Sequence, residues 1–531
     1  MNNTDYTKYN ELSPFELKDE LIRLAKTHSE RLMLNAGRGN PNFLATEPRR
    51  AFLRLADFAM LEAERSYAFL ESGIGGLPEK EGIDLRFEIF AEQHERTEGI
   101  SFLRNAIAFV KDRLGQSQKE FLFEMVNAFL GCNYPVPPRM LFHSEEIVKA
   151  YLAQEMYNNH PRGGDFSLFA TEGGTAAMTY IFQTLKENCL IKPGDKIALG
   201  TPIFSPYLEI PALAEYQLET VDIRMDEDND WQFPDNELAK LEDPDIKIFC
   251  VVNPSNPPSE KLSDACLKKI ANLVNSKRND LIIVTDDVYG TFADDFVSLF
   301  AVCPRNTLCV YSFSKYFGAT GWRLGVIALH EDNIIDEALT ALPTNEKELL
   351  KTRYSSLTNQ PGQLQFIDRL VADSRSVALN HTAGLSTPQQ LQMTLLALNG
   401  LMDIHDLYKN SAKSLIRHRY QNLCIHIGIP PELGPNEVNY YYLVDLQKLG
   451  GKIYGDAFAA WLANENRGIE FLFRLAEETS VVLLPGKGFE VVDASVRVSL
   501  ANLTDAEYSA IGKCTKQILQ ELYGEFSGSK P

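Results

Sequence analysis

Lys315 has the sequence setting of a chemically active residue. It stands in the stretch YSFSKYFGATGWRLG, residues 311–325, after a short apolar run and among small, hydroxylated and aromatic neighbours. At the edge of an apolar, partly buried site the ammonium form of a lysine is disfavoured, and the neutral amine becomes available as a nucleophile. Surface lysines are the commoner case, so Lys315 becomes informative only together with other polar residues.

Polar residues also follow other apolar runs. The segment FATEGGTAAMTYIFQTLKE passes through Gly174 and Thr175 into a helix, whose first N–H groups and dipole favour a phosphate. VVNPSNPPS places the amide of Asn256 after a strand, and IIVTDDVYG places Asp286 and then Tyr289 after another. Each of these features taken alone also fits an ordinary turn or a helix cap.

The combination of these residues indicates one cofactor. A phosphate cradle, an amide, a carboxylate, a phenol and a lysine follow one another on successive strand ends. Pyridoxal phosphate needs this set, because its aldehyde forms a Schiff base with a lysine, its ring nitrogen needs an acidic partner and its phosphate needs a cradle. The eight cysteines include no Cys-x-x-Cys pair, so no metal is expected. The sequence therefore predicts a pyridoxal-phosphate enzyme with Lys315 as the imine-forming residue.

The apolar pattern places these strand ends in an α/β fold. From about residue 166, short apolar runs end in Gly, Pro, Ser or Asp and are followed by helical patterns. Buried strands that alternate with helices predict a largely parallel sheet, and ligands bind beyond the carboxyl ends of such strands. A predicted helix over 397–426 then leads to NYYYLVDL and ASVRVSLANL, which are typical of a smaller α+β unit.

The N-terminal part of the chain predicts mostly helices. In SPFELKDELIRLA, Ser13 is a suitable N-cap, Pro14 takes the first helical position and Glu16 completes a capping box. LNAGRGNPNF has the composition of a loop, and the helical periodicity after it is interrupted by the glycine-rich SGIGGLPEKEG. We expect an N-terminal part of a small domain (1–50), a helical extension (51–130), a large cofactor-binding domain (131–400) and a C-terminal small domain (401–531).

Composition and charge limit the partners. A chain of 531 residues predicts two or more packed units. Its net charge of -20 argues against nucleic acid or an anionic membrane surface as partner, because both need a basic surface. No apolar run approaches the length that spans a bilayer, and the first thirty residues lack the pattern of a signal peptide. We therefore expect a cytoplasmic protein that acts on a small molecule.

The motifs resemble those of fold-type I pyridoxal-phosphate enzymes, specifically the aspartate aminotransferase-like group. SFSKYFGATGWRLG is similar to the Ser-x-x-Lys and Arg signature of that group, and DDVY is similar to its Asp-x-x-Tyr. The resemblance implies that Lys315 forms the Schiff base and that Ser312 and Arg323 bind the phosphate. It further implies that Asp286 pairs with the pyridinium nitrogen and Tyr289 with the ring hydroxyl.

The same resemblance extends to residues outside these two motifs. Asn256, before a proline, matches the asparagine that shares the ring hydroxyl, and Gly174 with Thr175 fits the phosphate turn. Phe204 takes the place of the aromatic residue that stacks on the cofactor ring. Tyr134 resembles the tyrosine that reaches the phosphate of the neighbouring subunit's cofactor.

Substrate contacts follow from the resemblance and from charge. Arg497 resembles the C-terminal arginine that holds the substrate α-carboxylate as a bidentate pair, next to Asn256. Binding of a dicarboxylate substrate would require a second positively charged side chain. Arg38, beside Gly39 in a loop that borders the substrate in this group, is the first candidate for the distal carboxylate, and Arg353 is the second.

Two departures from the group's pattern are visible. Pro258-Ser259 stands where the group commonly has Thr-Gly, and extra sequence lies before Tyr134 and between Arg323 and Arg497. This long form resembles the bacterial aspartate 4-decarboxylases. That resemblance implies β-decarboxylation of L-aspartate to L-alanine and CO2 through a ketimine intermediate. It also implies a homo-oligomer built from dimers with shared active sites, a dodecamer being one such assembly.

The sequence is also compatible with other functions. An aspartate or alanine aminotransferase would use the same residues, since the shared intermediate need only hydrolyse to a keto acid. Ser312 and Lys315 also satisfy the Ser-x-x-Lys of penicillin-recognising acyl transferases, but the chain contains neither Ser-Asp-Asn nor Lys-Thr-Gly. A binding module without catalysis would be expected to lack the lysine or the aspartate, and both are present.

Overall fold

A mostly parallel sheet lies at the centre of the protein. The computed structural model describes residues 9, 12, 14–27, 32–71, 73–134, 139–158, 160–161, 163–377, 379, 384–463, 467–491 and 494–528. Its strands are β1 Leu34–Asn35, β2 Phe166–Thr171, β3 Lys196–Thr201, β4 Glu219–Arg224, β5 Ile246–Val252, β6 Ile282–Asp286, β7 Thr307–Ser312, β8 Gly325–His330, β9 Tyr441–Asp445, β10 Val481–Val482, β11 Leu484–Pro485 and β12 Ser495–Ser499.

The central sheet has seven strands in the order β2-β8-β7-β6-β5-β3-β4. All neighbours are parallel except β8, which runs antiparallel to both β2 and β7. Every residue of β2, β7 and β8 is buried, as expected for strands covered on both faces. The predicted α/β fold with a largely parallel sheet is confirmed, and the carboxyl ends of β5, β6 and β7 lie side by side.

Helices cover the sheet and build the rest of the chain. They are α1 Pro14–Ala25, α2 Thr46–Ser66, α3 Ile83–Gln93, α4 Ile100–Asp112, α5 Gln118–Leu130, α6 Phe142–Tyr157, α7 Gly174–Glu187, α8 Pro206–Glu209, α9 Asp235–Leu238, α10 Asp264–Ser276, α11 Leu299–Val302, α12 Ile334–Ala341, α13 Thr344–Tyr354, α14 Phe366–Ser374, α15 Thr387–Met402, α16 Leu407–Ile427, α17 Leu446–Tyr454, α18 Asp456–Leu462, α19 Arg467–Thr479 and α20 Asp505–Ser527. In the described part of the chain, none of them is long and apolar enough to cross a membrane.

Most of the predicted helices are confirmed. The first helix begins at Pro14, whereas its proposed cap, Ser13, lies outside the described residues. The single helix predicted over 397–426 is wrong, because α15 ends and α16 begins within it. The carboxylate of Asp403 accepts hydrogen bonds from the backbone N–H groups of Leu407 and Tyr408, and this cap starts the second helix.

Two small sheets join the beginning of the chain to its C-terminal part. β1 pairs in parallel with β10, and β11, β12 and β9 form an antiparallel sheet. The backbone hydrogen bonds of this contact run from Leu34 N to Ser480 O and from Ala36 N to Val482 O. The loop after β1 is thereby held beside Arg497 on β12.

A buried and a half-buried carboxyl group lie where the loop after β5 meets the segment before β9. Glu260 and Glu437 pair as an isolated antiparallel bridge, and Glu260 is only 8% exposed. Burial raises the pKa of Glu260 to about 9, and the nearby Glu437 and Asp230 charges add to this effect. Burial likewise raises the pKa of Glu437 to about 7.

These carboxyls predict how stability changes with pH. A pKa that is higher in the folded state gives stability that is present at low pH and is lost as pH rises through the folded value. We expect the free energy of unfolding to fall as pH rises towards about 9, at about 1.4 kcal/mol per pH unit for Glu260 alone. In Glu260→Gln this fall should be shallower above pH 7, whereas the exposed Glu95→Gln should keep it. Denaturant unfolding at several pH values measures the slope, and equal slopes in both variants would contradict the assignment.

Candidate active site

A cavity of about 350 Å³ opens at the carboxyl ends of the central strands. Its size is that of a small-molecule site. All of the predicted site residues except Tyr134 and Arg353 line it. The parallel sheet explains this convergence, because the turns after β5, β6 and β7 emerge at one edge of the sheet.

One end of the cavity is rich in hydrogen-bond donors. α7 begins at Gly174 with its N-terminus at the cavity, and Thr175 follows. Gly173 has φ 93°, and a Cβ there would collide with the guanidinium of Arg323, so a side chain has no room between them. Ser312 Oγ lies 2.9 Å from Ser314 Oγ. N–H groups at a helix start, hydroxyls and a guanidinium together suit a phosphate.

Lys315 lies in the turn after β7, in the middle of the cavity wall. Its Nζ donates a hydrogen bond of 2.9 Å to the carbonyl oxygen of Gly39. A Cβ on Gly39 would collide with Tyr441 Oη and lie 3.3 Å from Lys315 Nζ. Glycine is therefore required where the N-terminal loop crosses over the lysine.

Asp286 ends β6 and points its carboxylate into the cavity. Its Oδ1 accepts a hydrogen bond of 3.3 Å from Val288 N. Burial raises the pKa of Asp286 to about 6, against the opposing effects of that backbone bond, the Lys315 charge and the Tyr207 hydroxyl. A buried carboxylate in this position would be stabilised by a cationic partner, as a protonated ring nitrogen would be.

The carboxylate of Asp287 binds polar groups in the interior of the protein instead. It accepts hydrogen bonds from Thr285 Oγ1 at 2.6 Å, from Ser298 Oγ and from Cys309 Sγ. Burial raises its pKa to about 7. Of the two consecutive aspartates, only Asp286 lines the cavity.

Arg497 on β12 is held rigidly at the opposite wall. Its Nη1 donates to Asn256 Oδ1 at 3.0 Å and its Nη2 to Gly37 O at 2.9 Å. The guanidinium also lies 4.2 Å from the ring centroid of Tyr441 and 4.6 Å from that of Phe489. Its buried Nε has no hydrogen-bond partner among the described residues. The arginine is thus oriented and retains a donor, as expected of a carboxylate-binding residue.

Two predicted residues lie elsewhere. Tyr134 is 73% exposed, outside this cavity, so a role at a neighbouring subunit stays a prediction. Arg353 pairs with Asp373 at 2.9 Å and with Glu187 at 2.7 Å. These two carboxylates account for Arg353 as a structural residue away from the cavity.

The cavity also contains residues that the sequence patterns did not single out. Lys18 on α1 and Tyr441 on β9 both line it. Lys18 lies beside the buried Leu17 in an amphipathic helix, and this is the one sequence signal that could have placed it near the core. Arg38, Lys18 and Arg497 give the substrate side of the cavity three positively charged side chains.

These residues fit pyridoxal phosphate. The donors at the start of α7, with Ser312 and Arg323, match its phosphate, Asp286 matches its ring nitrogen, and Lys315 matches its aldehyde. Within the described residues, no cluster of three or more His, Cys, Asp and Glu could hold a metal ion.

Comparisons with known proteins agree with this geometry. Residues 152–511 match the family aminotransferase class I and II. A bifunctional aspartate aminotransferase and L-aspartate beta-decarboxylase from Pseudomonas sp is 56% identical over 522 residues, which are 98% of each chain. An aspartate aminotransferase from Pyrococcus abyssi is 30% identical over 146 residues, 27% of this chain and 36% of that one. The solved aspartate aminotransferase from Thermus thermophilus with maleate has a TM-score of 0.59 at 16% identity, covering 98% of this chain and all of its own.

Proposed function

Because the chain belongs to the class I and II aminotransferase family, we propose that it removes the β-carboxylate of L-aspartate, giving L-alanine and CO2. Pyridoxal phosphate is its cofactor, and aspartate transamination is a side activity. The observation that carries this proposal is the 56% identity, over 98% of both chains, to a bifunctional aspartate aminotransferase and L-aspartate beta-decarboxylase.

The roles of the residues follow from the cavity. Pyridoxal phosphate supplies an aldehyde that joins amines and a ring that withdraws electrons from bonds at the substrate carbons. Lys315 would hold this aldehyde, and its amine is placed to move the Cα proton of the substrate. Asp286 keeps the ring nitrogen protonated, which preserves the electron-withdrawing power of the ring. The α7 donors fix the position of the phosphate.

The cations of the cavity explain a dicarboxylate substrate. Asn256 and Gly37 take two of the five N–H groups of Arg497, which leaves others that can bind the α-carboxylate as a bidentate pair. Arg38 is exposed, lines the cavity next to Gly39 and would bind the β-carboxylate. Lys18 adds positive charge to the same cavity. A carboxylate so bound is kept close to the reacting carbons until it leaves as CO2.

Arg38 gives a direct prediction. Removing its guanidinium in Arg38→Ala should raise the aspartate KM by about tenfold or more, or cut turnover strongly, because a charge-assisted contact to the distal carboxylate is lost. Steady-state kinetics on L-aspartate measures this, with the exposed Arg113→Ala as the matched control. Unchanged kinetics in Arg38→Ala would remove Arg38 from the site.

The second candidate is an aspartate aminotransferase without decarboxylation, since the similar proteins from Pyrococcus abyssi and Thermus thermophilus are aspartate aminotransferases. The holoenzyme is incubated with L-aspartate, with and without 2-oxoglutarate, and alanine, CO2 and oxaloacetate are measured. We expect equal alanine and CO2 without any keto acid. Turnover that requires the keto acid and yields oxaloacetate would establish the second candidate instead.

The helical extension supports a proposed oligomer. Large apolar side chains are exposed on α2, on the segment after it and on α3, namely Leu53, Leu61, Phe69, Leu77, Leu85 and Ile89. Where such side chains form one continuous patch, they mark an interaction surface. We propose a homo-oligomer built from dimers that share active sites, with Tyr134 reaching the neighbouring subunit. Light scattering of Leu53→Glu/Leu85→Glu should show a smaller particle, whereas the exposed Leu433→Glu should leave the mass unchanged.

The cytoplasmic location and the division into four units stay predictions. Neither affects the residues assigned to the cavity.

A further inference from the structure

Tyr441 is a cavity residue to which no motif assigns a role. It is the first residue of β9, and its buried side chain lines the cavity. Its Oη lies 2.9 Å from Tyr289 Oη, with either atom able to be the donor. The guanidinium of Arg497 covers its ring at 4.2 Å. The side chain is therefore fixed by two residues that the proposed function uses.

The same hydroxyl lies beside the amine of Lys315. A Cβ on Gly39 would collide with Tyr441 Oη and lie 3.3 Å from Lys315 Nζ, so both polar atoms face one small space above the glycine. Burial raises the pKa of Tyr441, but the positive charges of Lys315 and Arg497 outweigh burial and lower it overall. The charged and titratable groups around Tyr441 are Lys315, Arg497, Tyr289 and the adjacent Tyr440.

The direction of the tyrosine pair follows from proton counting. A phenol has one proton and donates one hydrogen bond. In the proposed enzyme, Tyr289 gives that bond to the ring oxygen of the cofactor. The bond between the tyrosines must then run from Tyr441 to Tyr289. The lone pairs of Tyr441 Oη are then able to accept a second N–H of Lys315, whose Nζ in this structure donates to Gly39 O.

We propose that Tyr441 is a positioning residue that joins Lys315 and Tyr289 in one hydrogen-bonded chain ending at the ring oxygen of the cofactor. This inference rests on the proposed function. The chain would keep Tyr289 in its donating orientation, and it would give the free amine of Lys315 a second acceptor beside Gly39 O. Since hydrogen bonds in a chain polarise one another, Tyr441 strengthens the bond that Tyr289 donates.

The neighbouring tyrosine provides a matched control. Tyr440 is also buried, and its ring centroid lies 4.9 Å from that of Tyr289. Its Oη, however, donates to Gly39 O at 2.8 Å and not to Tyr289. Tyr441→Phe and Tyr440→Phe thus each remove one buried hydroxyl, and only the first breaks the chain.

The visible absorption of the cofactor is recorded against pH for each holoenzyme without substrate, which gives the midpoint of the cofactor titration. The kcat and KM for aspartate are then measured. We expect Tyr441→Phe to move the midpoint upward by about one pH unit, since the hydrogen bond that stabilises the anionic ring oxygen is weakened. The same variant should lower kcat more than it raises KM. Tyr440→Phe should keep the wild-type midpoint.

Two results would overturn the inference. One is a wild-type midpoint in Tyr441→Phe, and the other is an equal shift in Tyr440→Phe, which would indicate a general effect of losing a buried hydroxyl. A wild-type protein without a visible cofactor band would contradict the proposed function itself and this inference with it. A normal cofactor band together with an unchanged midpoint in Tyr441→Phe would thus refute only this inference and leave the proposed function intact.

Discussion

Replacing Lys315 with Ala is expected to lower kcat for aspartate decarboxylation by about 10⁴-fold or more. The substitution removes both the amine that holds the cofactor and the group that moves the Cα proton. The fold should survive, because the Gly39 carbonyl that accepts from Lys315 Nζ also accepts from Tyr440 Oη. Product assays with L-aspartate measure the loss.

A lysine on the surface provides the control for this variant. Lys268 is exposed on α10, so Lys268→Ala should keep wild-type turnover and a wild-type visible spectrum. Lys315→Ala should still melt cooperatively while it lacks the visible band of a lysine-bound cofactor. Retained decarboxylation in a well-folded Lys315→Ala protein would refute the assignment of the imine-forming residue.

Asp286→Asn is the second large effect, with an expected decrease in kcat of about 10²- to 10³-fold. Asparagine keeps the shape of the side chain but cannot carry the negative charge that holds the ring nitrogen protonated. The cofactor should therefore bind more weakly and withdraw electrons less effectively. Turnover and the cofactor dissociation constant are measured in parallel.

Stability separates this catalytic effect from a folding defect. Because burial raises the pKa of Asp286 to about 6, its stabilising contribution in the cofactor-free protein is present at low pH and is lost as pH rises through that value. The cofactor-free Asp286→Asn protein should therefore be as stable as wild type, or more stable, at pH 8. The exposed Asp295→Asn is the control for charge loss. A clearly destabilised Asp286→Asn protein, or one with wild-type kcat, would contradict the role of Asp286.

The sequence was sufficient for the part of the site that one sheet supplies. Asn256, Asp286 and Ser312 follow or end neighbouring strands, so short local patterns are enough to bring them together. The pattern could not choose between Asp286 and Asp287 without the resemblance. Their geometry separates them, because the interior hydroxyls of Thr285 and Ser298 bind Asp287.

Two cavity residues that no sequence motif predicts, Lys18 and Tyr441, are placed there by long-range packing. Lys18 comes from α1 and Tyr441 from β9, and neither carries a local motif. They reach the cavity because α1 packs on the C-terminal part of the chain and β9 pairs with the strand of Arg497. Such contacts depend on tertiary packing that no short stretch encodes.

The sequence pattern does not predict some elements of the fold. β4 lies at the edge of the sheet, so several of its residues are exposed. Its sequence mixes polar and apolar residues and therefore lacks a clear apolar run. β8 begins at Gly325, the last residue of the lysine motif, so no turn signal separates the strand from the motif although all of its residues are buried. The break between α15 and α16 depends on one side chain, Asp403, that caps the next helix.

The most direct test of the account is to locate the cofactor on the chain. The purified protein is supplied with pyridoxal phosphate, reduced with borohydride, digested and mapped by mass spectrometry. We expect a yellow protein whose colour is lost on reduction and a single stoichiometric pyridoxyl adduct on Lys315. A protein that stays colourless, or an adduct spread over surface lysines with Lys315 unmodified, would contradict it.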